Sequence, residues 1–162
     1  MQHNAELGTP AAHDQYQGTM DAPCGLAHCL VMELHWAVNG PGRPLLSVVD
    51  DDESVRESLP DLLKEFGFAT RVFSSAEEFL LSDCVDETRC LILDIAMPGM
   101  SGTELHQELK RHGHEIPIVF ITAQRDEAIR ARALQQGAAG FLLKPFSDMS
   151  LLEALNKALP DR

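Results

Sequence analysis

From Pro44 onward the chain alternates two kinds of segment. Short, largely apolar runs are LLSVV at Leu45–Val49, Ala69 to Phe73, Arg89 to Leu93, the IVFI of Pro117 to Ile121, and Gly140 to Leu143. Between and after them lie longer segments whose apolar residues return every three or four positions, as in Val55, Leu59, Leu62, Leu63 and Phe66. A strand with no polar side must be buried on both faces. Strands buried on both faces and separated by amphipathic helices belong to a parallel sheet covered on each side. The unit occurs five times over, so the pattern predicts an α/β domain: a five-stranded parallel sheet with helices on both faces.

The boundaries carry their own chemistry. Ser54 to Phe66 reads as a helix opened by Asp52 and Glu53 and closed by Gly67. Pro60 sits inside it, removes an amide donor, and is expected to bend the helix or end its first part. Ser75-x-x-Glu78 reads as a capping box opening a helix through Leu81. Ser101 to His112 turns Leu105 and Leu109 inward, Asp126 to Gln136 is stopped by Gly137, and Ser147 or Asp148 caps a last helix reaching Leu159.

Residues 1–43 do not share this order. They hold Gly, Pro, His, Gln and Asn without steady periodicity, and the first twenty or so residues are expected to be disordered. Leu26, Leu30, Leu34 and Val38 recur every four positions and suggest a short helix over 26–38, followed by a linker, Asn39 to Pro44. The chain therefore divides into an N-terminal extension, 1–43, and a domain, 44–162. No apolar run is long enough to span a membrane, and no basic stretch followed by an apolar core marks a signal peptide, so a cytoplasmic protein is expected. A net charge of −12, from 13 basic and 25 acidic residues, repels a phosphate backbone and argues against direct nucleic-acid binding. Cys24, Cys29, Cys84 and Cys90 form no CxxC pair and are read as free thiols. Cys24, His28, Cys29 and His35 match no common zinc spacing.

The polar residues that interrupt the alternation fall at strand ends. Asp50 and Asp51 follow the first strand, Asp94 ends the third, Thr122 the fourth and Lys144 the fifth. In an open parallel sheet those ends share one edge, where ligands bind at the point of strand-order reversal. Three carboxylates there repel one another unless a counter-charge is present. A hard divalent cation such as Mg²⁺ takes one or two carboxylates together with waters and a phosphate. With Lys144 as a second positive charge and Thr122 as a hydroxyl, the set describes a pocket for a phosphoryl group, in which Asp94 can act as nucleophile. No His or Cys follows a strand end, which disfavours zinc-type hydrolysis and thiol chemistry.

VVDDDESVRESL, LILDIAMPGMSG, IVFITA and GFLLKPF occur in that order, one at each of four strand ends. In these elements the chain, from about Leu45 to Leu159, resembles the receiver domain of two-component response regulators, with the nitrogen-fixation type of regulator as the nearest branch. The resemblance implies a flavodoxin-like sheet of strand order 2-1-3-4-5 and a role for each residue. Asp94 would be the phosphoacceptor. Asp51 would bind Mg²⁺ directly, Asp50 through water, and the Ala96 backbone carbonyl would complete the protein ligands. Thr122 would be the switch hydroxyl, Lys144 the phosphoryl-binding cation and Phe141 an aromatic rotamer switch. Pro145 would follow a cis peptide bond. Phe141 lacks the hydroxyl often found at its position, and Pro60 and residues 1–43 lie outside the pattern.

On this reading a sensor histidine kinase or phosphotransfer protein donates the phosphoryl group, and the domain catalyses only its own phosphorylation and dephosphorylation rather than acting as an enzyme on others. Output passes to a partner protein through the face of the fourth helix, fifth strand and fifth helix; a homodimer is left open. With no output domain after Arg162, a stand-alone receiver is expected. Three alternatives stand beside it: an aspartyl-phosphate phosphatase, a receiver that binds partners without phosphorylation, and a receiver fragment of a transcription factor lacking its DNA-binding domain. The first would require a second acid two residues after the nucleophile, where this chain has Ala96.

Overall fold

The computed structural model describes residues 42–160. Five strands, β1 (Leu45–Val49), β2 (Ala69–Phe73), β3 (Thr88–Asp94), β4 (Ile118–Thr122) and β5 (Gly140–Leu143), alternate with five helices among the described residues. These are α1 (Glu53–Glu65), α2 (Ala76–Leu80), α3 (Gly102–Arg111), α4 (Glu127–Gln135) and α5 (Asp148–Ala158). Every pairing is parallel and the strand order is β2-β1-β3-β4-β5, the flavodoxin-like order.

Alternate strand residues point to opposite faces, and both faces are filled. On one, Leu46, Val48, Ile92, Val119 and Ile121 pack against Leu59 and Leu63 of α1 and Leu151 and Leu155 of α5. On the other, Leu45, Val49, Leu91, Leu93 and Phe120 meet Phe79 of α2, Leu105 and Leu109 of α3 and Ala133 of α4. Leu91, Ile92 and Leu93 are wholly buried although consecutive. Each contributes about 1.5–3 kcal/mol of hydrophobic stabilisation, and two-sided burial is the reason the inner strands β1, β3 and β4 are apolar on both faces over most of their length.

Two local expectations are corrected. Of the two outcomes expected of Pro60, a bend or an end, the end does not occur: helix α1 runs from Glu53 to Glu65 through it. The proline removes one amide bond, but Leu59 and Leu63 on either side of it are buried against the sheet and hold the turn in place. Ser75 does cap α2, accepting from the Glu78 amide at 3.1 Å, yet the Glu78 carboxylate reaches one residue further back, to the Ser74 amide at 2.7 Å and hydroxyl at 2.8 Å. The reciprocal capping box lies on α3 instead: Ser101 accepts from the Glu104 amide at 3.3 Å, and Glu104 accepts from the Ser101 amide at 2.8 Å.

Cys84 and Cys90 are free and buried, and burial pushes the Cys90 thiol up to about 12. No helix among the described residues is long and apolar enough to cross a membrane. The helix expected over 26–38 and the group Cys24, His28, Cys29 and His35 lie outside the described residues.

Candidate functional site

The strand order places β2 and β3 on opposite sides of β1, so the connections leaving β1 and β3 part to opposite faces and open a crevice at their C-terminal ends. Asp50 follows β1 and is fully buried, Asp51 beside it is exposed, and Asp94 is the last residue of β3 with 5% exposure. One carboxylate oxygen from each lies within 4.8 Å of the others.

Asp50 is held from several sides. Its amide donates to the Phe73 carbonyl at 3.1 Å, and its own carbonyl accepts from Arg56 Nη1 at 2.8 Å. Its Oδ1 accepts from the Asp52 amide at 2.9 Å, and Oδ2 accepts from Lys144 Nζ at 2.6 Å. Asp52 caps α1, taking the Ser54 amide at 2.9 Å, so the acidic turn is fixed by the helix it begins.

Lys144 Nζ also lies 3.5 Å from Asp94 Oδ2. Burial pulls the lysine down, but its contact with Asp50 and the charges of Asp50 and Asp94 outweigh this and hold it above the usual lysine range. Burial, and then the Asp50 charge, lift the Asp94 carboxyl to about 6, against the pull of Lys144 and of the Ala96 amide, which donates to Asp94 Oδ1 at 3.3 Å. A carboxyl driven upward by burial and a neighbouring acid is one that an added cation would relieve.

Thr122 ends β4, one residue beyond Ile121, the register partner of Asp94. Its hydroxyl is buried and accepts from the Gln124 amide at 3.1 Å, while its carbonyl accepts from the Lys144 amide at 2.8 Å. Among the described contacts none joins this hydroxyl to the Asp94 carboxylate. The Lys144–Pro145 peptide is cis. Phe141 is half-buried, packs on the layer formed by α2, α3 and α4, and lines a cleft of about 370 Å³ with Arg130, Leu143 and Phe146. The structure thus brings Asp50, Asp51, Asp94 and Lys144 together, sets Thr122 and the exposed Ala96 on the same rim, and places Phe141 apart on β5.

Two positioning residues escaped the reading of the sequence. Arg56 grips the Asp50 carbonyl from α1. A Cβ at Gly102 would run into the Asp94 carbonyl, so only glycine lets α3 start this close to the end of β3. Both lie within the quoted motifs, in VVDDDESVRESL and LILDIAMPGMSG, but neither is a polar residue at a strand end.

A doubly wound sheet in this order, with an acidic cluster and a lysine at its switch point, places the chain in the class of flavodoxin-like α/β domains. Residues 46–156 match the model of the response regulator receiver domain, and the chain belongs to that family. It is 43% identical over 113 residues to Nodulation protein W of Bradyrhizobium diazoefficiens, covering 70% of this chain and 50% of that protein. It is 38% identical over 112 residues to the transcriptional regulatory protein FixJ of Azorhizobium caulinodans, covering 69% and 53%. The chain spans about half the length of the curated relatives it matches. Among solved structures, the response regulator StyR superposes with a TM-score of 0.68 at 45% identity, covering 74% of this chain and 60% of that one. The N-terminal fragment of FixJ superposes at 0.65 and 37%, covering 73% and 94%. Receiver domains are phosphoacceptors rather than classical enzymes, bind Mg²⁺ at an acidic pocket, and interact with histidine kinases and output domains.

Proposed function

We propose that this chain accepts a phosphoryl group on Asp94 from the phosphohistidine of a histidine kinase or phosphotransfer protein, and that residues 44–162 form the domain that does so. The observation that carries this is the meeting of Asp50, Asp51, Asp94 and Lys144 from three strand ends at one rim. The donor set of carboxylate oxygens fits a hard cation. Asp51 would bind Mg²⁺ directly, Asp50 through water, and Asp94 and the Ala96 carbonyl would complete the protein ligands. The ion supplies neutralisation of the phosphoryl oxygens when bound.

Asp94 Oδ attacks phosphorus, the P–N bond to the donor imidazole breaks, and the imidazole leaves with its electron pair. Lys144 binds a phosphoryl oxygen as charge builds on it. The new group adds about −1.5 to −2 charge, and the Thr122 hydroxyl turns toward it from the Gln124 amide. Phe141 then repacks, altering the face of α4, β5 and α5 that an output protein reads. The domain later hydrolyses its own acyl phosphate. The cytoplasm, where such kinases present their phosphohistidine, is the compartment this chemistry needs.

A second reading, that the domain is one part of a longer regulator, rests on the relatives being about twice its matched length. An aspartyl-phosphate phosphatase is disfavoured by Ala96 where a second acid is required. Incubation with Mg²⁺ and acetyl phosphate, followed on a phosphate-retarding gel, tests the proposal. A shifted band is expected with the wild type and none with Asp94→Asn; persistent labelling of the variant overturns the assignment.

A further inference from the structure

We propose that Glu77, on the first turn of α2, is a positioning residue that ties down the loop between β3 and α3 and thereby sets the affinity of the acidic site for its divalent cation. The inference rests on the reading of Asp50, Asp51, Asp94 and Ala96 as that cation's site. The loop from Ala96 to Ser101 carries the backbone next to Asp94, and it is exposed at Ala96, Pro98 and Gly99. Most of its amide bonds are local: the Ala96 amide reaches Asp94, the Ser101 amide reaches Glu104, and the Gly102 amide closes on the Ile95 carbonyl at 3.0 Å. Such bonds shape the loop, and the buried Met97 side chain seats it on the core, but none of them bonds its backbone to an element beyond β3 and α3.

The exception is Met100. Its amide donates to Glu77 Oε1 at 3.0 Å, across 23 residues of sequence, and this is the one hydrogen bond among the described residues that joins the loop to an element other than β3 or α3. Gly99 is shaped to allow it. Its φ is +75°, and a Cβ there would lie 2.8 Å from the same Glu77 oxygen. A side chain at 99 would therefore both strain the backbone and collide with the tether. Glu77 is held as a carboxylate first by its own backbone amide and then by that of Met100, which keep it below the usual glutamate range.

Geometry near a metal site must be held closely by its supporting contacts for affinity to be realised. With the tether gone, the Ala96 to Ser101 segment samples more conformations, and ordering them becomes a cost of binding. A hydrogen bond to a charged acceptor at the surface is of a size to change binding by roughly three- to tenfold.

The test compares wild type, Glu77→Ala and Glu77→Gln in the whole chain, with Mg²⁺ alone as ligand. Hydrogen exchange at the Met100 amide and the Mg²⁺ dissociation constant, from backbone amide shifts, are read separately. Glu77→Ala is expected to speed Met100 exchange and weaken Mg²⁺ binding by about three- to tenfold. Glu77→Gln keeps the acceptor and is expected to restore both to within about twofold of wild type. Fast Met100 exchange with an unchanged Mg²⁺ constant in Glu77→Ala overturns the tether while leaving the cation site standing. Equal weakening in both variants overturns it too, since lost charge would then be the cause. Failure of the wild type to bind Mg²⁺ at these acids overturns the site itself, and the tether with it.

Discussion

Replacing Asp94, the proposed phosphoacceptor, should make the resting domain more stable. Asp94 is 5% exposed, and its carboxyl is lifted from an ordinary 3.8 to about 6, first by burial and then by the Asp50 charge. That displacement corresponds to about 3 kcal/mol of unfavourable ionisation in the fold at neutral pH. The folded state binds more protons than the unfolded chain between pH 4 and 6, so the penalty is absent below about pH 4, grows through that window, and is complete above it. Asp94→Asn removes the charge and keeps the shape. Lys144 retains its 2.6 Å contact with Asp50, so the variant creates no unpaired ammonium. Urea denaturation without divalent ions should show Asp94→Asn more stable than wild type by about 1–3 kcal/mol at pH 7.5, the gap closing as pH falls toward 4. Added Mg²⁺ should stabilise the wild type and narrow the gap at pH 7.5. A variant no more stable than wild type at pH 7.5, or a gap that does not change with pH, would refute the claim that crowded acids strain this site.

Lys144→Ala leaves the fully buried Asp50 without its ammonium; in the absence of Mg²⁺ it should cost about 3–5 kcal/mol in urea, with Mg²⁺ recovering much of the loss. Signalling output should suffer more than metal binding, as Mg²⁺ titration beside a kinase-coupled output assay would show. Gly102→Ala forces a Cβ against the Asp94 carbonyl and should destabilise by about 1–3 kcal/mol, visible as a lowered urea midpoint. His106 is buried against Phe120 with rings 5.7 Å apart, and burial, then the Lys110 charge, hold it below the usual histidine range. Stability it supports is present above its unfolded value of 6.5 and lost as pH falls through the lower folded value. In the Asp94→Asn background, His106→Leu should therefore flatten the acid-side slope of urea stability, and an unchanged slope would count against this role.

Much of the architecture could be read from the residues because two-sided burial leaves a plain mark. The segments Leu45–Val49, Ala69–Phe73 and Gly140–Leu143 read from the sequence match the strands observed. What the alternation could not convey was how strongly packing overrides a local rule. Pro60 reads as a bend or an end to the helix, and the end is ruled out only when Leu59 and Leu63 are seen seated on the sheet. The acids, Thr122 and Lys144 were legible because a polar residue at the end of an apolar strand stands out. Arg56, Glu77 and Gly102 did not stand out, since a charged residue on a helix's first turn and a glycine at a helix's start are ordinary. Their roles arise from contacts across 6 and 23 residues of chain or from a missing side chain, and only coordinates reveal those. His106 was passed over for a similar reason: Leu105 and Leu109 account for the apolar stripe, and nothing in sequence marks the neighbouring imidazole as enclosed.

The unequal sharing of Lys144 has a consequence for sequence of events. At rest the ammonium leans on Asp50, at 2.6 Å, and only grazes Asp94, at 3.5 Å. Under the proposed function an incoming phosphoryl group would have to draw it away, and the buried Asp50 would then be left with an unanswered charge. Asp50, Asp51 and Asp94 would hold a divalent ion whose charge would answer Asp50 in the lysine's place. On the proposed function, occupancy by metal would be the permissive step, and a chain starved of it would hold its own lysine back from the chemistry.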